Sequence, residues 1–172
     1  MTEDTQTPTA PAVADTSSIM RCYVVLAIGM LTAFLPYRIV GIIGMVALVC
    51  GTIWAYRLRK QDGELFKNHA SWMIRTFWIS SLYFLIGMLV SSSIVSSNGD
   101  ATVLSTITPE MTDEEMAAIL LAYKEANKDL ILITTLICFG PVMFFVLARF
   151  FIGYRKAEKD ELIANLKTWL IV

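Results

Sequence analysis

Charged residues are scarce in this sequence. Asp, Glu, Lys and Arg make up 17% of its 172 residues, whereas soluble domains carry about 25%. Hydrophobic residues account for 56%, and the mean hydropathy is +0.61. The net charge of −1 leaves no basic surplus for binding nucleic acid. The composition therefore predicts an integral membrane protein that has the lipid bilayer as a partner.

Residues that commonly perform chemistry are also few. His69 is the single histidine, which excludes a multi-histidine metal or haem site within the chain. The three cysteines lie in apolar runs without a CxxC motif, and we interpret them as small apolar side chains. The sequence contains neither a glycine-rich phosphate loop nor a serine nucleophile elbow. We therefore expect a protein that is not an enzyme and has no catalytic residue, cofactor or metal.

Four apolar runs dominate the sequence, each near the length of about 20 residues that crosses a bilayer as a helix. Pro36 separates the first two, and we predict a tight hairpin there rather than one long kinked helix. None of the runs contains Asp or Glu, which argues against a proton-coupled carrier. The predicted fold class is all-α, an integral membrane helical bundle with four transmembrane helices in a domain of residues 19–157. The predicted spans cover residues 19–35, 39–57, 73–96 and 130–152.

The segments outside the spans are predicted from their own composition. Residues 1–18 are rich in Thr, Pro and Ala and form a predicted disordered tail, whose acidic start differs from a secretory signal. Residues 98–129 form a predicted extracytoplasmic acidic helical insert, in which Thr112 and Glu115 have capping-box spacing. Two interpretations of its amphipathic helix remain open. The helix packs on the protein's own loop or on the membrane face, or it binds a partner.

The last segment, residues 158–172, has apolar residues at helical spacing. It is too short and too charged for a further span, so we predict an amphipathic helix that lies in the membrane interface. The residues that define this apolar face are Leu162, Ile163, Leu166, Trp169 and Leu170.

The distribution of charge predicts the orientation. Basic residues follow the second and fourth apolar runs, whereas segment 98–129 contains two basic and seven acidic residues. Because loops rich in Lys and Arg stay in the cytoplasm, we expect both termini there. The expected location is the inner membrane of a bacterial cell.

The stretch FKNHASWMIRTFW, residues 66–78, covers the cytoplasmic entry to the third span. His69, Trp72 and Arg75 are spaced by three residues, and Arg149 lies near the cytoplasmic end of the fourth span. One interpretation is an interfacial anchor, because Trp prefers the headgroup level and Arg extends towards it. The alternative is a site at which His69, Trp72, Arg75 and Arg149 contact a lipid headgroup or a partner protein.

The run GIIGMVALVCGTIWAYRLRKQDGELFKNHASWMIRTFW resembles a family of small bacterial inner-membrane proteins with a domain of unknown function. That family is distantly similar to the twenty-kilodalton subunit of the chloroplast inner-envelope protein translocon. The resemblance covers about residues 20–97 and 130–157. It implies a membrane domain without an assigned reaction. The positions that match are Gly41, Gly44, Trp54, Arg57, His69, Ala70, Trp72, Ile74, Arg75, Thr76, Phe77, Trp78, Arg149 and Gly153.

Two functions are compatible with these features. The first is a non-enzymatic accessory, assembly or scaffold factor with a membrane-protein partner. The alternative is a small oligomeric transporter or protein-translocation component, for which a chain this short would have to form a homo-oligomer. The resemblance supports the alternative only by analogy of fold.

Overall fold

The computed structural model describes residues 16–33 and 37–168. Within these ranges all regular secondary structure is helical, with five α-helices, one short 3₁₀ turn and no strand. The α-helices are α1 (Ser17–Ala33), α2 (Arg38–Leu58), α3 (Glu64–Asn98), α4 (Asp113–Ala126) and α5 (Lys128–Glu158), and the 3₁₀ turn is Thr102–Thr106.

Three of the helices, α2, α3 and α5, are long and apolar enough to cross a membrane. The chain is therefore a membrane protein with an all-helical fold. The prediction of four transmembrane helices is met only in part, because α1 has 17 residues and is shorter than such a span. α1 and α2 are nevertheless separate helices that pack along each other, as the predicted hairpin requires.

The helix α3 begins earlier than the hydropathy of the sequence predicts. Its 35 residues start at Glu64, so the polar stretch before residue 73 is already helical. At 1.5 Å per residue α3 is about 52 Å long, which exceeds the ~30 Å hydrocarbon core of a bilayer. The additional turns carry His69 and Trp72 into the bundle.

The apolar core lies mainly at one end of the bundle, which we call the packed end. There the first half of α1 meets the last turns of α2, the first turns of α3 and the last turns of α5. Towards the opposite end α3 and α5 continue together, with Phe84 against Phe139. Many large apolar side chains on α2, α3 and α5 point away from the bundle, as expected for helices surrounded by lipid.

Two helix ends are fixed by local hydrogen bonds. The predicted capping box is present at the start of α4, where Thr112 and Glu115 each accept a hydrogen bond from the other's main-chain nitrogen. α5 ends in a Schellman motif, in which Asp160 has a φ of 56° and the Glu161 nitrogen donates to the Lys156 oxygen at 2.9 Å. This motif reverses the direction of the chain after α5, so that the next residues pack on the packed end.

The segment that follows α5 differs from the predicted amphipathic helix. Residues 161–168 contain no helix, and Ile163 is buried in the core instead of facing a membrane surface. The hydrogen bonds described below hold this segment in an irregular path, because tertiary contacts override a weak helical periodicity. We call residues 161–168 the strap. Trp169 and Leu170 of the predicted tail, Pro36 and most of the predicted N-terminal tail lie outside the described residues.

Candidate functional site

The four residues singled out in the sequence lie at the packed end of the bundle. His69, Trp72 and Arg75 lie within the first 12 residues of α3, and Arg149 lies in the last third of α5. His69, Trp72 and Arg149 have exposed fractions of 0%. The fold therefore brings all four together, although 74 residues separate Arg75 from Arg149.

Trp72 and Arg149 form the centre of this site. The guanidinium carbon of Arg149 lies 3.6 Å from the centroid of the Trp72 ring, within the range of a cation–π interaction. The Trp72 indole N–H donates to the Arg149 carbonyl oxygen at 3.1 Å. The Arg149 Nε donates to the Thr76 hydroxyl at 3.0 Å, and that hydroxyl donates to the Trp72 carbonyl oxygen at 2.8 Å. These contacts hold the Arg149 guanidinium between α3 and α5.

Both ring nitrogens of His69 have hydrogen-bond partners. Nε2 lies 3.0 Å from the main-chain oxygen of Glu161, and Nδ1 lies 3.0 Å from the Tyr23 hydroxyl. Since a carbonyl oxygen only accepts, Nε2 carries the hydrogen, and the Nδ1 of a neutral ring accepts from Tyr23. His69 thereby links α1, α3 and the strap.

Gly153 makes room for Tyr23 in this arrangement. A Cβ atom at position 153 would lie 2.6 Å from the Tyr23 Cζ atom, closer than real contacts allow. The small residue one turn after Arg149 thus allows the Tyr23 ring to pack directly against α5.

The strap is attached to α3 and α5 through its main chain. The Asn68 side chain donates to the Ile163 oxygen at 3.1 Å and accepts from the Ile163 nitrogen at 2.9 Å. Further along, Arg75 donates to the Lys167 oxygen at 3.0 Å, and Arg149 donates to the Thr168 oxygen at 3.2 Å. With the bond from His69 to Glu161, side chains of four residues bind the strap backbone.

The interpretation of Trp72 as an interfacial anchor is wrong for this structure. Its face of α3 is turned towards α5, so its ring is buried and its N–H is bonded inside the protein. Trp78 has the exposure expected of an anchor, with 58% of its surface exposed, and it donates to the Tyr56 hydroxyl on α2. The faces of these two tryptophans lie about 120° apart around α3, roughly one third of a helical turn.

Three contributors were not identified as site residues from the sequence. Tyr23 lies in an apolar run and gives no signal of a polar role, and Asn68 lies in a polar connection that predicts a loop. The only sequence signal for Gly153 was its position four residues after Arg149. The packing of the bundle determines which residues of distant helices come into contact, and a single sequence does not reveal that packing.

The chemistry available at the site is that of hydrogen bonding and positive charge. Among the described residues, no group of three or more His, Cys, Asp or Glu is placed to hold a metal ion. The polar atoms of His69 and the Trp72 N–H are engaged with the protein itself. A lipid or partner would therefore reach the His69 Nε2 atom only after displacing the strap, whereas Trp72 is enclosed between α3 and α5.

Comparison of the chain with protein-family models, curated proteins and solved structures gave no match.

Proposed function

We propose that the protein is a four-span integral protein of a bacterial inner membrane that acts as a non-enzymatic accessory, assembly or scaffold factor. The observation that carries the proposal is the strap. Four side chains that converge at the packed end bind the main chain of the strap. These side chains stabilise the strap as a folded surface on the bundle. Their use for this purpose supports a role in contacting a partner rather than in catalysing a reaction.

The proposed membrane placement counts the α1–α2 hairpin as two spans. α1 is apolar and packs along α2, so the pair can insert as one unit. Basic residues surround the packed end and support its placement in the cytoplasm. They include Arg57, Arg59, Lys60, Arg155, Lys156 and Lys159.

The segment between α3 and α5 supplies a second candidate contact surface. α4 has no buried residue, and 69% of the Leu121 surface is exposed. Acidic residues fill its first turn. An exposed helix with apolar and acidic residues on the far side of the membrane supports a role in binding a partner there.

Orientation is tested with single cysteines in a variant that lacks the three native ones. Gln61→Cys lies at the packed end and Thr102→Cys lies beside α4, and both positions are exposed. In sealed spheroplasts a membrane-impermeant maleimide should label position 102 at once and position 61 only after lysis. The reverse pattern would contradict the proposed topology.

The contact role is tested by copurification. The full chain, tagged at its N-terminus, is extracted in mild detergent, the mass of the complex is measured and its components are identified. We expect a heteromeric complex of constant stoichiometry. A homo-oligomer that conducts ions in liposomes would instead support the transporter alternative.

A further inference from the structure

Arg75 and Arg149 converge on one short piece of the strap. Their guanidinium groups donate to the carbonyl oxygens of the adjacent residues Lys167 and Thr168, at 3.0 and 3.2 Å. Two positive side chains from different helices are therefore held side by side at the packed end. Bringing like charges together costs free energy, and this cost falls when an anion lies between them.

On the strap, the described partner of Arg75 is a neutral carbonyl oxygen. Among the described residues, no carboxylate forms an ion pair with Arg75, since the ion pairs there are Lys128–Glu125 and Arg155–Glu158. The Nε atom of Arg75 is buried and makes no hydrogen bond. A guanidinium normally binds a phosphate or carboxylate through two parallel N–H donors. Arg75 thus keeps one buried N–H donor for which the described residues provide no acceptor.

We propose that Arg75 and Arg149 form a binding site for a phosphate group, and that the strap residues Lys167 and Thr168 occupy this site in the present structure. Phosphate oxygens would accept from both guanidinium groups and compensate their charge. The inference rests on the proposed membrane placement, in which the site lies at the cytoplasmic membrane surface. Phosphate there is supplied by anionic lipid headgroups or by soluble phosphate.

The described contacts of the strap fall into two groups. Its first residues are fixed by His69 and by the two hydrogen bonds of Asn68, whereas the arginine contacts lie at residues 167 and 168. A phosphate group could replace the carbonyl oxygens of Lys167 and Thr168 while Ile163 stays in the core. The phosphate ligand and residues 167–168 of the strap therefore compete for the same guanidinium N–H donors.

The test uses the purified full chain in a neutral detergent. Dioctanoyl phosphatidylglycerol, inorganic phosphate and dioctanoylglycerol, which lacks a phosphate, are titrated separately, and hydrogen exchange of strap amides and binding are measured. We expect phosphatidylglycerol or inorganic phosphate to increase exchange at residues 166–168 but not at Ile163. An effect of phosphatidylglycerol assigns a lipid headgroup, and an effect of inorganic phosphate assigns soluble phosphate. Dioctanoylglycerol as effective as both, or no effect of either anion, overturns the site.

Matched variants distinguish binding at this site from nonspecific attraction of the anion to basic residues elsewhere. Arg75→Gln should weaken binding about ten-fold or more, because a charge-assisted hydrogen bond is lost. Arg155→Gln, which removes an exposed arginine paired with Glu158, should change binding less than two-fold. Asn68→Ala loosens the competing strap and should strengthen binding. Equal affinities for Arg75→Gln and the unmodified protein would overturn the proposal even if Arg149 variants fail to fold.

The failure of this inference is distinguishable from failure of the proposed function. Membrane insertion and copurification are measured on the same Arg75→Gln variant. If insertion and the complex persist while phosphate binding is absent from the unmodified protein, only the phosphate site is rejected.

Discussion

The guanidinium carbon of Arg149 lies over the Trp72 ring, 3.6 Å from the ring centroid. The two residues are also joined by the hydrogen bond from the indole nitrogen to the Arg149 carbonyl oxygen. This double contact makes Trp72 a structural link between α3 and α5.

Trp72→Ala should therefore destabilise the bundle strongly. Removing a fully buried aromatic side chain typically costs about 3–5 kcal/mol, and the loss of its contacts with Arg149 adds to this. Trp78→Ala is the matched control on the same helix, and an exposed position should cost about 1 kcal/mol or less. Unfolding by titration with a denaturing detergent measures both. Equal losses would indicate that both tryptophans act as membrane anchors.

Gly153→Ala should break the contact between α1 and α5. The added Cβ would collide with the Tyr23 ring, so the ring must move away from His69 and its hydrogen bond is lost. Gly140→Ala on the same helix is the control, because a Cβ there has no neighbour within 4 Å. We expect that control to change the unfolding free energy by no more than about 1 kcal/mol. A Gly153→Ala protein as stable as the control would contradict the close packing of Tyr23.

The single histidine allows a direct spectroscopic test of the site. In protein labelled with ¹⁵N-histidine, the ring signals should report hydrogen on Nε2 and none on Nδ1, as the contacts with Glu161 and Tyr23 require. Tyr23→Phe should shift the Nδ1 signal and cost about 1–3 kcal/mol, because a buried acceptor loses its donor. An unchanged Nδ1 signal in Tyr23→Phe would show that the hydroxyl is not its partner.

The start of α4 should be sensitive to acid. The Thr112 main-chain nitrogen and hydroxyl bind the Glu115 carboxylate and hold its pKa below the ordinary glutamate value. A lowered pKa means that this stabilisation is present above the pKa of the unfolded chain and disappears as pH falls through the folded pKa. The carbon chemical shifts of residues 113–118 should lose helical character in that acidic range. Glu115→Gln should remove most of this pH dependence, and a full response in that variant would assign it to another group.

Phe144 and Leu121 have similar exposed fractions, 71% and 69%. We expect lipid around Phe144 and water around Leu121. Phe144 lies in the middle of α5, so Phe144→Lys should oppose membrane insertion by about 2.5–3.5 kcal/mol. Leu121 lies in α4, outside the long apolar helices, and Leu121→Lys should insert normally. The fraction of each variant that resists extraction from membranes by alkaline carbonate measures the difference. Normal insertion of Phe144→Lys would place that face of α5 away from lipid.

The parts of the fold that the sequence predicted are those governed by local physics. Hydropathy identified the apolar stretches of α2 and α5 to within a few residues, and the spacing of Thr112 and Glu115 predicted a capping box that is present. Hydropathy did not identify the start of α3 at Glu64, because it detects the apolar part of a helix and not its polar first turns.

The candidate site was predicted only in part. The sequence identified His69, Trp72, Arg75 and Arg149 because their residue types are unusual beside apolar runs. It did not indicate that their partners are Tyr23 and the strap backbone. Main-chain carbonyl groups are present at every residue, so no sequence pattern distinguishes the ones that a side chain will bind.

The strap also determines the order in which the packed end is completed. His69 and Glu161 are separated by 92 residues, and at typical synthesis rates of 5–20 residues per second this corresponds to about 5–18 s. Until Glu161 emerges from the ribosome, the His69 ring and the Asn68 amide lack their final acceptors. Closure of the packed end therefore comes after α1, α3 and α5, which it joins, have been synthesised.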